Sequence, residues 1–533
     1  EIGGDGLLLR DEGGELIRVG LIEKLLIPAM AKLGQLIPDG GIWMNAQKPE
    51  WNDANNALAG NGLSVVTTGY LLRYLRFLQR SVQTCSLTEF AVSKSAQQAV
   101  QRLAEVLAHP RWKQDVQVSS NDRFELGQAN GLVMQDYRDS VREEICHMGS
   151  LTAPHILSFL SHAIEAVEGV LQSSRRPDGL WHAYNVLDAR PGNPEMKVQN
   201  LQLMLEGQVA ILSSGFLENE TAVELLENLA KSDLRSKRHP TYLLYPDREL
   251  AGFDELNRIP DADLRGNQLL ALMVEKGDER LVYEDETGAW RFNETLVNGY
   301  ALTDCLTQID NLSLGNRTEI EKIYEKVFSH HSFTGRSGSM FGYEGLGCVY
   351  WHMVSKLMLA AQEVALAVCK SGKSSDELRS RSVAAYYAVQ RGLGFRQTPQ
   401  SYGAFPAEPY SHSQGEKGAQ QPGLTGQVKE GLLCRLGELG IDFEDGQLSF
   451  RPYLLRAAEF VDGVLSFTHA RTPLQYEICE DLEKPKATVF INDGQERVFS
   501  NGVLDIETSS SILFNRGTIA KVIVQIPFNW LIF

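Results

Sequence analysis

The chain has 533 residues, 43% of them hydrophobic, enough apolar material for a large core. A formal net charge of −17 repels nucleic-acid phosphates and anionic membrane surfaces, so partners of those two kinds are not expected. No apolar run reaches the ~18 residues of a membrane span. The opening Glu1-Ile2-Gly3-Gly4-Asp5-Gly6 does not read as a secretory leader. Seven scattered cysteines without a CxxC pair suggest reduced thiols and no zinc knuckle, which leans towards a cytoplasmic location.

Taken in chain order, apolar residues recur at helical spacing over 16–36, 64–78, 87–108, 153–171, 198–212 and 220–230. They do so again over 294–306, 318–328, 349–368, 375–391 and 425–439, giving about eleven helices. Between them lie segments rich in Gly, Pro, Asn and aromatics, notably 37–62, 175–194, 333–347 and 398–424. These are longer than ordinary connections, and long ordered loops on a rigid scaffold usually carry function. After Gly440 the pattern alternates instead. Strands are expected at 447–450, 463–468, 474–478, 487–491, 496–499 and 519–526, with Asn-Asp-Gly and Asn-Gly turns between them. The expected fold is mainly α: an (α/α)6 toroid over 1–440, followed by a small, sandwich-like C-terminal β-domain over 441–533. A solenoid is disfavoured because no internal repeat is visible.

The segment Gly41-Ile42-Trp43-Met44-Asn45-Ala46-Gln47-Lys48-Pro49-Glu50-Trp51-Asn52-Asp53-Ala54-Asn55-Asn56 holds two Trp, two carboxylates and four Asn. Sugar recognition uses this mixture: aromatic faces meet C–H surfaces, while amides and carboxylates meet hydroxyls. A carboxyl group desolvated beside Trp rings has a raised pKa and becomes a proton donor near neutral pH. Asp53 is therefore the expected general acid. Trp43, Glu50, Trp51, Asn52 and Asn55 are the expected substrate contacts. Turn and helix capping explains one or two of these polar residues, not the set.

The second segment, 333–347, has glycines at 335, 338, 342, 345 and 347 and runs straight into a long helix. Arg336, Ser337 and Ser339 with the helix N-terminus suit an anion, as a Gly-rich turn with a cap would equally look. Tyr343 is an expected substrate contact here, and Glu344 a candidate carboxylate to activate water. In the third segment, His412, Gln420 and Gln421 are candidates to line a polar cleft. In the fourth, Trp181 and Tyr184 are candidates for a sugar platform. Glu206 sits on an otherwise apolar helix, which is costly unless the carboxylate is paired or functional. No spacing forces a metal site, and no HExxH, Walker, GxSxG or EF-hand pattern appears.

Trp51-Asn52-Asp53, followed by an Asn-containing turn, a Gly and a long helix, resembles the catalytic-acid loop of the cellobiose phosphorylase family. The resemblance is close over about twenty residues. It implies an inverting enzyme on an (α/α)6 barrel with flanking β-domains, with Asp53 protonating the leaving oxygen of an oligo- or polysaccharide. Two acceptors stay open. A hydrolase would use Glu344 or Glu206 as base. A phosphorylase would take inorganic phosphate as co-substrate, with no other cofactor. A non-catalytic sugar-binding or scaffold protein on the same toroid is the third reading. Any of the three requires the four long segments to converge on one concave face.

Overall fold

The computed structural model describes residues 15–45, 58, 60–113, 116–144, 147–189, 192–237, 240–247, 252–309, 313–328, 348–395, 398, 412–414, 428–514 and 516–532. They fall into two compact units. One comprises described residues within Glu1–Ser174, His182–Leu203 and Tyr245–Gly347, and the other those within Arg175–Trp181, Met204–Leu244 and Cys348–Phe533. Helices dominate, with several small sheets, in keeping with a mainly α fold.

In the first unit, helix Val65–Thr84 buries Leu71, Leu72, Leu75, Leu78 and Val82 along one stripe and packs against Ala153–Ser173. Ser64 caps the first of these helices through Thr67 N–H (3.0 Å), and Thr152 starts the second. Residues 87–93 were expected to be helical. Instead Glu89–Ser93 is a strand paired with Met148–Thr152, and the helix begins only at Lys94. Ser93 is the reason: its hydroxyl caps Ala96 N–H, while its own N–H and hydroxyl donate to the buried Glu23 carboxylate (2.7 and 2.6 Å). Helix Ser120–Glu144 was not anticipated. Its buried residues Leu126, Asn130, Val133 and Met134 do recur at helical spacing, but Gly127 and Gly131 within the stripe, and the charges that flank it at Asp122, Arg123, Glu125, Asp136, Arg138 and Asp139, mask it.

Three of the regions expected to be loop or helix form one antiparallel sheet. Its strand order is Leu36–Ile37, Gly41–Trp43, Gly62–Ser64, Tyr184–Ala189, Met196–Asn200. Thus 198–200, expected to open a helix, is strand, and that helix starts at Leu205. Strand pairing supplies backbone partners that the local helical pattern could not foretell. Ile37, Leu63, Leu187 and Met196 form the core of the sheet. Gly41 (φ +120°) must be glycine, since a Cβ there would lie 2.9 Å from the Ser64 carbonyl.

Residues 252–328 of the same unit enclose a core of their own. Ile259, Leu264, Leu270, Met273, Leu281, Phe292, Leu302, Ile320, Tyr324 and Phe328 are among its buried members. The sequence assigns two of these helices to the toroidal body; both, Gly299–Thr307 and Leu314–Phe328, close over a hairpin of Val282–Glu284 and Trp290–Phe292. Asn257, 2% exposed, stands in for a strand: its side chain donates to Phe292 C=O and accepts from Phe292 N–H, both at 2.8 Å. The Asp285 carboxylate is held well below its ordinary value of 3.8 by the Thr287 hydroxyl first, then by Ala289 N–H and Arg291. A depressed carboxylate stabilises above its unfolded pKa, and that stability is lost as pH falls through the folded value. Protection factors in 280–293, corrected for the intrinsic pH dependence of amide exchange, are therefore expected to fall as pH drops below about 4. Asp285→Asn should flatten that response; an unchanged pH profile would refute it.

In the second unit, helix Trp351–Lys370 is central and packs against Leu205–Ser214, Asn219–Lys231, Asp376–Gly392 and Val428–Glu438. By length and composition it is apolar enough to cross a membrane, unlike what the sequence reading of apolar runs suggests, and 67% of its apolar window is buried within the protein. Burial against four helices explains that apolarity. Towards the C-terminus, the strand order is Val464–His469, Thr472–Cys479, Ile519–Pro527, Lys486–Ile491, Glu496–Phe499, with the Thr472–Cys479 and Ile519–Pro527 pair parallel. The expected strands at 447–450 and 496–499 appear with those bounds. Strand Ile441–Glu444 and helix Ile506–Leu513 were not expected. Asp445 and Gly446, both at positive φ, turn the first strand back onto Gln447–Phe450.

Candidate functional site

The segment carrying Asp53 is joined to the five-stranded sheet at both ends. Met44 N–H donates to Gly62 C=O (2.9 Å), Gly60 N–H to Met44 C=O (2.6 Å) and the Trp43 indole to Gly60 C=O (3.0 Å). These bonds close the neck across strands Gly41–Trp43 and Gly62–Ser64. Asp53 itself, with Glu50, Trp51, Asn52 and Asn55, lies outside the described residues. Trp43 is described and only partly exposed, its ring fixed by the indole bond.

Asn185 locks the next strand to this neck by donating to Gly40 C=O (2.7 Å), and Tyr184 pairs with Ser64. The tertiary structure thus brings the 37–62 segment and the part of 175–194 from His182 onward into one sheet. Tyr184 is only 1% exposed and packs as a core side chain. His182 shares a hydrogen bond with Leu201 C=O (2.9 Å). Sequence reasoning missed Asp39, in the turn between the first two strands. It takes φ +56° and pairs with Arg123 at 3.1 Å. Burial raises its pKa, and Arg123 opposes that rise. The Pro38-Asp39-Gly40 turn composition was its signal in the sequence.

In the second unit, Glu206 stands in the first turn of Leu205–Ser214, partly exposed while Leu205, Gly207, Gln208, Val209 and Ala210 are buried. No side chain caps this helix, so a carboxylate there meets its positive end, which is a structural account of Glu206 in itself. Trp181 is also 1% exposed. The Gln208 amide holds its backbone by accepting from Trp181 N–H (3.0 Å) and donating to Trp181 C=O (2.7 Å). Gln208 carries no signal in sequence, because only the fold places residue 181 beside it. Neither Trp181 nor Tyr184 presents an open ring face as described.

Glu344, Arg336, Ser337 and Tyr343 lie outside the described residues, as do Gln420 and Gln421. The strand directly after the Gly-rich segment, Cys348–Tyr350, pairs with His412–Gln414, setting Tyr350 opposite His412. The third segment therefore attaches at the start of helix Trp351–Lys370. The Tyr350 hydroxyl and His352 Nδ1 lie 3.2 Å apart there, a polar pair the sequence did not single out. Among the described residues no group of three or more His, Cys, Asp or Glu is placed to hold a metal ion.

Residues 250–331 match the family described as GH149 phosphorylase insertion domain 2. The matched stretch coincides with the module over 252–328 that has its own core. No curated protein matches the chain. The match supports a glycoside phosphorylase, a carbohydrate-active enzyme whose substrates are an oligosaccharide and phosphate.

Proposed function

We propose that the chain is an inverting glycoside phosphorylase on an (α/α)6 toroid within 1–440, into which the module over 252–328 is inserted, with a C-terminal β-domain over 441–533. Asp53 is its general acid and inorganic phosphate its co-substrate. The observation that carries this reading is the insertion-domain match over 250–331, on a stretch that folds around its own core. It favours phosphate over water as the acceptor, a choice the composition of the candidate segments leaves open.

In this reading, Asp53 gives its proton to the glycosidic oxygen as the anomeric C–O bond breaks. A phosphate oxygen bonds to the anomeric carbon from the opposite face. The products are a shortened saccharide and a sugar 1-phosphate of inverted configuration. No protein base is needed, because phosphate is itself the nucleophile. Glu344 and Glu206 then have no water to activate. Arg336 and Ser337 at the Gly-rich segment are the proposed phosphate contacts, since guanidinium and backbone N–H groups suit an oxyanion. Trp43, Trp51, Asn52 and Asn55 would hold the sugar.

The test is to incubate the protein with oligosaccharides of varied glycosyl unit and linkage, with and without inorganic phosphate. Sugar 1-phosphate should form only when phosphate is present. Free sugar released at the same rate without phosphate would replace this reading with hydrolysis. Binding without any cleavage would replace it with a non-catalytic sugar-binding protein.

A further inference from the structure

We propose that Asn185 and the Asp39–Arg123 pair are positioning residues for the general acid. They fix the turn and the strand that lead into the Asp53 segment, and so set where Asp53 stands. Their role rests on the proposed role of Asp53 and adds the groups, remote in sequence, on which that role depends.

The segment leaves the sheet at Met44 and returns at Gly60, so both its ends follow strand Gly41–Trp43 and its partner Gly62–Ser64. Strand Gly41–Trp43 is short. It pairs with Leu36 and Ile37 on one side and with Leu63 and Ser64 on the other. Three side chains from elsewhere in the first unit hold its start. Asn185, 1% exposed, donates to Gly40 C=O (2.7 Å). Thr68, buried in the first turn of helix Val65–Thr84, accepts from Ile42 N–H (3.2 Å). Arg123, on helix Ser120–Glu144, pairs with Asp39 at 3.1 Å, with 18% and 28% of the two side chains exposed. The turn before the Asp53 segment is thereby tied to a strand and two helices.

Stability alone does not account for these residues. Asp39 takes φ +56°, a left-handed conformation that glycine adopts freely, and glycine stands at the next two positions instead. Arg123 leaves its Nε buried without a hydrogen-bond partner, and Asn185 leaves its Oδ1 in the same state. A buried polar group left half-satisfied is destabilising relative to an apolar side chain of similar size. What such groups supply is direction: a hydrogen bond or an ion pair fixes a register that apolar packing leaves loose. Backbone strain and half-satisfied polar groups gather where the position of a segment matters for function. Here they surround one turn, and the segment that follows carries the proposed acid. Proton transfer needs the acid within hydrogen-bond reach of the leaving oxygen, and a shift of about 1 Å can lower the rate about 100-fold.

A double-mutant cycle on the full chain tests this. The substrates are the oligosaccharide on which wild type forms sugar 1-phosphate and the nitrophenyl glycoside of the same sugar. Asn185→Leu keeps the size and removes the bond to Gly40; Arg123→Met keeps the length and removes the pair with Asp39. Each should lower kcat on the oligosaccharide about 10- to 100-fold with KM little changed. Turnover of the nitrophenyl glycoside should fall far less, because that leaving group needs no proton. Arg123→Lys, which keeps a cation for Asp39, should restore most of the loss. In the Asp53→Asn background neither substitution should lower kcat further, since a misplaced acid and an absent one are alike. The two variants lie on different elements, so one still reports if the other fails to fold. Wild-type kcat in both variants, beside a loss in Asp53→Asn, overturns the positioning role alone. So do equal losses on both substrates, or equal losses with and without Asp53, which mark a purely structural role. Wild-type turnover by Asp53→Asn overturns the proposed acid itself, and the positioning role with it.

Discussion

Asp53→Asn should still bind its saccharide while kcat falls about 10³-fold, within the 10²–10⁴ range of general acid catalysis. The amide is nearly the same size as the carboxylic acid and keeps hydrogen-bonding capacity, so binding survives. It has no proton to give the leaving oxygen, so the anomeric C–O bond must break to an alkoxide. A glycoside whose leaving group is already acidic, such as a nitrophenol, needs no such proton. Its turnover should fall far less in the same variant. That split separates a missing acid from a damaged fold. Wild-type turnover of the natural substrate by Asp53→Asn would end the assignment of the acid, and with it the mechanistic content of the resemblance at 51–53.

A second large effect is expected at the insertion module. Phe292 is fully buried, packs edge-on against Tyr324 at 5.0 Å between ring centroids and lies 5.9 Å from Phe328. Its backbone is clamped on both sides by the Asn257 amide. Phe292→Ala removes a large side chain from a core that has few others, and should cost about 3–5 kcal/mol. Because residues 252–328 enclose their own core, the loss should appear there first. Proteolysis and hydrogen exchange of 252–328 should accelerate by orders of magnitude, with helices Val65–Thr84 and Ala153–Ser173 staying protected. Equal protection of 252–328 in variant and wild type would show that this core is not what holds the module.

Much of the helical framework was legible because its apolar stripes repeat locally. Leu71, Leu72, Leu75 and Leu78 announce their helix without help from the rest of the chain, as do Ile156, Phe159, Leu160, Ala163 and Val167 for theirs, though the first helix runs on to Thr84 beyond the expected end at 78. The C-terminal strands were legible for the matching reason, period-two alternation broken by Asp-Gly and Asn-Gly turns. Candidate site chemistry was legible only as composition: aromatics, amides and carboxylates crowded into 41–56. Of those residues, Trp43 and Asn45 are the ones the described structure places, at the neck of the segment.

What the sequence could not decide is which distant residues meet. Gly62–Ser64 becomes a strand because Gly41–Trp43 lies on one side and Tyr184–Ala189 on the other, the latter over a hundred residues away. Trp181 and Tyr184 look like a platform in one dimension and are core in three, since Gln208 clamps the first and the sheet covers the second. Two helices that read as part of a toroidal wall share a core with a hairpin instead. Local periodicity is set by each segment's own covalent geometry, so the sequence by itself determines it. Strand pairing, burial of a given ring and the partner of a buried amide depend on surfaces supplied by remote segments, so only the tertiary structure decides them.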